Sequence, residues 1–168
     1  MRSADAHSRD ALALAVLRIG VGVFFLVFAE YKVFGTQFTL GGGFQHWIQK
    51  FLDEGGAYPF MIPVLQDFVL RYPTPIAFLV AYGEMGIGLA LVLGLAVRAA
   101  SAAGLVFMLT LLASSDYPGP NAAFWQYFGA SLSHSVFALC FSVLLLCRSE
   151  ARWSLAARRR SRGARPAD

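Results

Sequence analysis

Four apolar runs divide this chain, at residues 11–34, 75–94, 98–115 and 122–147. All but the third reach the ~20 residues that a helix needs to cross a bilayer, and the third falls just short. Only LAV separates the second run from the third, which predicts a tight helical hairpin. The connection over residues 35–74 is too long for a plain loop. Inside it, FQHWIQKFLDEG places Phe44, Trp47, Ile48, Phe51 and Leu52 at i, i+3, i+4, i+7 and i+8, with Gln45, Gln49, Lys50, Asp53 and Glu54 on other faces. That spacing predicts an amphipathic helix over about 44–54, lying in the membrane interface. GGAYP ends it, and PFMIPVLQDFVLRYP predicts a second short helix. The two would either lid the outer end of a bundle or serve as a surface connector.

The pattern predicts an all-α integral membrane four-helix bundle with an amphipathic helical outer loop. Composition agrees: 57% of residues are apolar and 14% charged, about half the charged share of a soluble domain. Residues 1–157 form one domain on this reading, and 158–168 a basic, disordered tail. The first run exceeds the 7–15-residue core of a signal peptide and lacks a small-x-small cleavage site after it, so a retained span is expected.

The net charge of +4 does not point to nucleic acid, because the basic residues gather beyond the last apolar run. They read as a topology signal. Arg2 and Arg9 precede the first span, Arg98 follows the hairpin turn, and seven arginines from Arg148 to Arg165 follow the fourth span. The opposite side offers Lys50 and Arg71 in a long loop and nothing basic in SSDYPGPNA. Both termini are therefore expected in the cytoplasm. Cys140 and Cys147 would lie two turns, about 10 Å, apart on one helix, too far to bridge. No CxxC occurs, and nothing supports a zinc or other metal site.

Charges within the spans carry the candidate chemistry, because each costs about 3 kcal/mol or more in hydrocarbon. On the first helix Lys32 shares a face with Arg18 through Gly22, Phe25 and Ala29, a stripe suited to a packed interior. Glu30 points elsewhere, toward the outer interface. Lys32 either faces the bundle or snorkels to the headgroups. Glu84 sits about 13 Å deep in the second span. It is flanked by Gly83, Gly86 and Gly88, which would let another helix approach. A carboxylate there is expected to be protonated or paired, with Lys32 across the bundle as the expected partner. Two readings stand: a clasp fixing helix register, or a proton-accepting or ligand-binding carboxyl in a cavity. His134 falls near the middle of the fourth span, beside Ser131, Ser133 and Ser135, as a hydrogen-bonded packing residue or a site residue. No second histidine in a span is available for a bis-histidine haem. Gln126 and Tyr127, near the outer end, would bind a ligand head group or water. Ala99, Ala103, Ala100 and Gly104 give the third span small-residue spacings for tight packing.

Several of these segments resemble the DoxX/DoxD-like membrane proteins. LRIGVGVFFLVFAEYKVF is similar to that family's first helix, with an early arginine and a late lysine. PTPIAFLVAYGEMGIGLALVLGLAVRAAS is similar to its second helix, turn and alanine-rich third helix, and RWSLAARR to its exit. The resemblance covers about residues 12–156, and the matching residues are Arg18, Lys32, Glu84 and Arg98. Ala29 replaces a residue commonly glycine, and Glu30 adds an acid. The resemblance implies a compact four-helix bundle in the cytoplasmic (inner) membrane. It also implies a link to quinone-coupled electron transfer, as in the small subunit of thiosulfate:quinone oxidoreductase, or to membrane complexes of oxidative defence. The cysteine pairs of the family's disulfide-active relatives are missing.

Three functions remain open. The first is a membrane oxidoreductase subunit that binds quinone through Glu84, His134, Lys32 and Arg18, with Gln126 and Tyr127 near the head group; Glu84 and His134 would be the catalytic pair. The chain has no flavin, nicotinamide or iron–sulfur fingerprint, so a soluble or peripheral partner would carry the redox cofactor and no covalent cofactor is expected. The second is a non-catalytic scaffold held by Lys32 and Glu84. The third is a small-solute or proton transporter, which would need a homo-oligomer for a pore.

Overall fold

The computed structural model describes the backbone of residues 2–128 and 132–147, with side chains over 9–127 and 132–147. It is all-α, with no strand among the described residues. Helix α1 spans Arg2–Phe34, α2 Thr36–Thr39, α3 Gly43–Asp53, α4 Pro73–Leu93, α5 Val97–Ser115 and α6 Ser133–Leu146. Three stretches are long and apolar enough to cross a membrane, Arg9–Phe34, Pro73–Leu93 and Val97–Ser115, while α6 is a shorter apolar helix. The expected tail over 158–168, its arginines and RWSLAARR lie outside the described residues.

Helix ends follow local chemistry. Pro73 and Pro75 sit in the first turn of α4, where a missing N–H costs nothing. Gly94 closes α4 in the left-handed conformation (φ 67°), and the α4–α5 turn is as tight as LAV predicts. Between α3 and α4, Val64–Val69 forms a π-helical turn in place of the expected short helix, with Leu70 N–H donating to Leu65 O at 2.9 Å.

The fourth apolar run differs most from expectation. Helix begins only at Ser133, after Leu132 in the left-handed region (φ 57°), and its 14 residues span about 21 Å, short of the ~30 Å hydrocarbon core. Residues 124–128 form a 3₁₀ turn instead. Pro118 and Pro120 interrupt the approach, and Tyr127 folds back so that its hydroxyl donates to Gly119 O at 2.8 Å. Tyr58 Oη then donates to Tyr127 O at 2.7 Å, pinning the segment to the α3–α4 connection.

The three long helices and the shorter α6 pack in the ring order α1, α4, α5, α6, with α1 beside α6. Neighbours run antiparallel, since Gly22 faces Gly88 while Lys32 meets Glu84 further out. The stripe of Arg18, Gly22, Phe25 and Ala29 is the buried face of α1. Phe25 is the hub of the inner core, edge-on to Phe107, Phe137 and Phe141 at 6.3, 6.2 and 5.1 Å. A second core of Phe38, Phe44, Ile48, Leu65, Ala77 and Ala81 holds α2 and α3 over the end of the bundle opposite the start of α1, the outer end on the expected topology. Phe24, Phe28, Leu79, Val106 and Leu139 are at least half exposed, as suits a surface that meets lipid.

Of the three glycines around Glu84, only Gly88 makes a close approach. A Cβ on Gly88 would lie 2.9 Å from Gly22 O, whereas Gly83 and Gly86 face open space. Gly88→Val should therefore push α1 from α4 and cost about 1–3 kcal/mol by overpacking, while Gly86→Val should be nearly neutral. Unfolding in mixed micelles reads the difference.

Candidate functional site

Helices α1 and α4 bring the two intramembrane charges together by the direction in which their side chains lean. Every Cα–Cβ bond on a helix tilts toward its N-terminus. On α1 that tilt carries Lys32 inward, away from the outer end; on antiparallel α4 it carries Glu84 outward. With Gly22 level with Gly88, the two Cα atoms are about 9 Å apart along the axis, a gap that the long lysine stem and the glutamate close. Lys32 Nζ lies 2.5 Å from Glu84 Oε2, with side chains 13% and 6% exposed. The rings of Tyr31 and Phe38 stand 5.7 and 5.4 Å from the same ammonium.

His134 is displaced from the expected mid-span position to the second residue of α6, at the outer end of the bundle, because α6 starts late. Its Nδ1 lies 2.8 Å from Asp116 Oδ2, just past the end of α5. Ser115 Oγ shares its one hydrogen between Leu111 O at 2.9 Å and the other carboxylate oxygen, Oδ1, at 3.1 Å. Asp116 is the site residue that sequence reasoning missed. A signal was present: an acid at a helix C-terminus opposes the local dipole and calls for a cationic or hydrogen-bonding partner.

These groups converge on one chamber of about 310 Å³, where Lys32, Glu84 and His134 share the walls with Phe25, Phe28, Met108 and Phe137. With Nδ1 held by Asp116, Nε2 is the imidazole nitrogen left for a ligand. The chamber thus offers a carboxylate, an ammonium and an oriented imidazole within aromatic walls. A second chamber of about 220 Å³ lies under α3 and is almost wholly apolar. Lys32 and Leu111 line both.

The other expected site residues lie elsewhere. Arg18 is 1% exposed in the inner half of α1 and lines neither chamber. Gln126 and Tyr127 also line neither. Gln126 Oε1 accepts from Ala123 N–H at 2.8 Å, and Tyr127 spends its hydroxyl on Gly119, so both serve the fold of the outer turn. Tyr58, Tyr117 and Tyr127 cluster there with ring centroids 4.9–6.5 Å apart. Burial, then the Asp116 carboxylate and the two neighbouring phenols, push the Tyr58 hydroxyl above its ordinary pKa, so it stays a neutral donor.

Long apolar helices with lipid-facing side chains, closing on an ion pair and an oriented histidine, define a multi-pass α-helical membrane protein. The DoxX family model matches residues 13–114, and the chain belongs to that family. Arg18, Lys32 and Glu84 fall inside the match; Asp116 and His134 fall beyond it. No curated protein and no solved structure matches the chain.

Proposed function

We propose that this DoxX-family protein is the membrane subunit of a quinone-linked oxidoreductase complex, crossing the plasma membrane through α1, α4 and α5 with the shorter α6 as a fourth, locally thinned crossing, both termini in the cytoplasm and α3 in the outer interface. The observation that carries this reading is the polar chamber. A quinone needs apolar walls for its ring and hydrogen-bond donors at its carbonyl oxygens, and Phe25, Phe28 and Phe137 stand beside Lys32 and His134. Reduction to the quinol adds two electrons and two protons. The electrons come from a partner subunit that carries a redox cofactor. The protons reach the carbonyl oxygens through His134 and the Lys32–Glu84 pair, the titratable groups of the chamber. The resemblance to quinone-coupled membrane subunits points the same way, and Arg9 and Arg98 at one end of the bundle support the orientation.

The test is titration of the protein in nanodiscs with a short-chain benzoquinone, alongside quinone-dependent activity of the complex purified from its own membranes. Saturable binding that Glu84→Gln and His134→Ala each weaken is the expected result. Binding and activity unchanged in both variants would overturn the reading.

A second reading has one observation of its own. The Lys32–Glu84 pair ties α1 to α4, as a scaffold without a ligand would require. On that reading the same substitutions lower stability and leave any bound small molecule unaltered.

A further inference from the structure

We propose that the chamber beneath α3 is a binding site for a single hydrocarbon chain taken from the surrounding membrane. The inference is independent of what occupies the polar chamber.

Phe44, Ile48 and Phe51 of α3 roof this space, Leu65 of the π-helical turn closes one side, and Val80 and Phe107 form the wall toward the bundle. Thr110, Ser114 and Lys32 already have partners within the fold, while Tyr31 and Trp47, the other polar-tipped side chains of the lining, are exposed. Thr110 Oγ1 donates to Val106 O at 2.9 Å, Ser114 Oγ donates to Thr110 O at 2.7 Å, and the Lys32 ammonium is held by Glu84. The remaining walls are apolar and offer a head group or water few partners. Apolar cavities of about 150 Å³ stay dry and take up apolar guests, and this one is about 220 Å³.

Collapse would be the alternative to a guest, and α3 is clamped against it at both ends. At its start, Gly41 and Gly43 sit so close to Gln37 that added Cβ atoms would lie within 3.0 Å of backbone. Past its end, Tyr58 N–H donates to Ala113 O at 2.9 Å and Tyr117 N–H donates to Gly56 O at 2.8 Å, which fastens the connection to the end of α5. The roof therefore cannot drop onto the wall without breaking these bonds. Tyr31, Trp47 and Thr110 line the chamber and are exposed, so it communicates with its surroundings. Exposed apolar side chains flank the same helices, as suits hydrocarbon surroundings.

Two sources supply such a chain, a phospholipid acyl group and the prenyl tail of a quinone. Photolabelling in nanodiscs separates them. One probe is a phosphatidylcholine with a diazirine at the end of one acyl chain, and the other a prenylated benzoquinone with a diazirine at the end of its tail. Peptide mapping should find adducts on Ile48, Phe51, Leu65 or Val80, beside adducts on lipid-facing Val23 and Val27. Val80→Trp, which fills the chamber from α4, should abolish the first set and spare the second. Ser114→Leu fills it from α5 and replaces that variant if its Val23 and Val27 labelling departs from wild type. Chamber labelling by either probe supports the site and names the source; labelling by the phospholipid alone leaves the site standing and speaks against a quinone tail there. Adducts on Val23 and Val27 with none in the chamber from either probe, or chamber adducts that survive both filling variants, would overturn it.

Discussion

Lys32→Met should destabilise the protein by about 3–5 kcal/mol, the range for removing one partner of a buried ion pair, and Glu84→Gln should cost distinctly less. The asymmetry follows from where each charge can go when its partner is lost. Glu84 is buried in the middle of α4, with its side chain 6% exposed, and Lys32 is the cation that meets it. Without that cation a carboxylate in an apolar wall has no comparable stabilisation. Lys32 is two residues from the end of α1. Its long stem lets the ammonium swing toward the outer surface and keep the aromatic faces of Tyr31 and Phe38 nearby. The double variant Lys32→Met/Glu84→Gln should recover most of the loss, because a neutral pair of similar volume avoids two desolvation penalties. Unfolding of the four proteins in mixed micelles completes the cycle. A Glu84→Gln cost equal to or above that of Lys32→Met would mean that the lysine is fixed and that the pair does not behave as described.

How much of this was readable in the chain depends on whether the information lies within one helix. The buried stripe from Arg18 to Ala29 was legible because 3.6-residue periodicity orders side chains on a single helix. For the same reason the α3 pattern gave Gly43–Asp53 to within a residue at each end. The meeting of Lys32 with Glu84, 52 positions apart, could only be argued by elimination, since nothing in either helix states which face meets which. The start of α6 was hidden by composition. Residues 122–132 are as apolar as a span, and only Pro118, Gly119 and Pro120 warn that the chain arrives in a turn. That misplacement also moved His134 to the middle of the membrane on paper. His134 at the outer end can meet Asp116 at the close of α5; a mid-span histidine could not. The chamber under α3 was illegible for a related reason: an amphipathic pattern shows that a face is apolar, not whether what it covers is filled.

The largest effect on activity is expected at that histidine. If the chain is the quinone-linked subunit proposed above, His134→Ala should lower quinone-dependent turnover of the complex by about 10²–10⁴-fold, the usual range for a positioned general acid or base. The cost in stability should stay near 1 kcal/mol, the scale of one hydrogen bond, because the side chain is 24% exposed at the edge of the bundle. Asp116 acts through the ring rather than on the ligand. Its Oδ2 holds Nδ1 at 2.8 Å, which leaves Nε2 as the ring nitrogen available to a ligand in the chamber that His134 lines. Asp116→Asn keeps a hydrogen-bonding group of the same shape but removes the negative charge beside the ring. It should lower kcat by less than His134→Ala does while leaving KM for quinone nearly unchanged, since a positioning residue sets the state of the proton donor without touching the ligand. Asp116→Ala should combine that loss with a raised KM as the ring loses its orientation. The pattern separates chemistry from packing: a residue that only filled space would move stability and activity together. Turnover in His134→Ala within a few-fold of wild type, with the protein folded, would remove the histidine from the reaction and leave the Lys32–Glu84 pair as the chamber's proton-transferring groups.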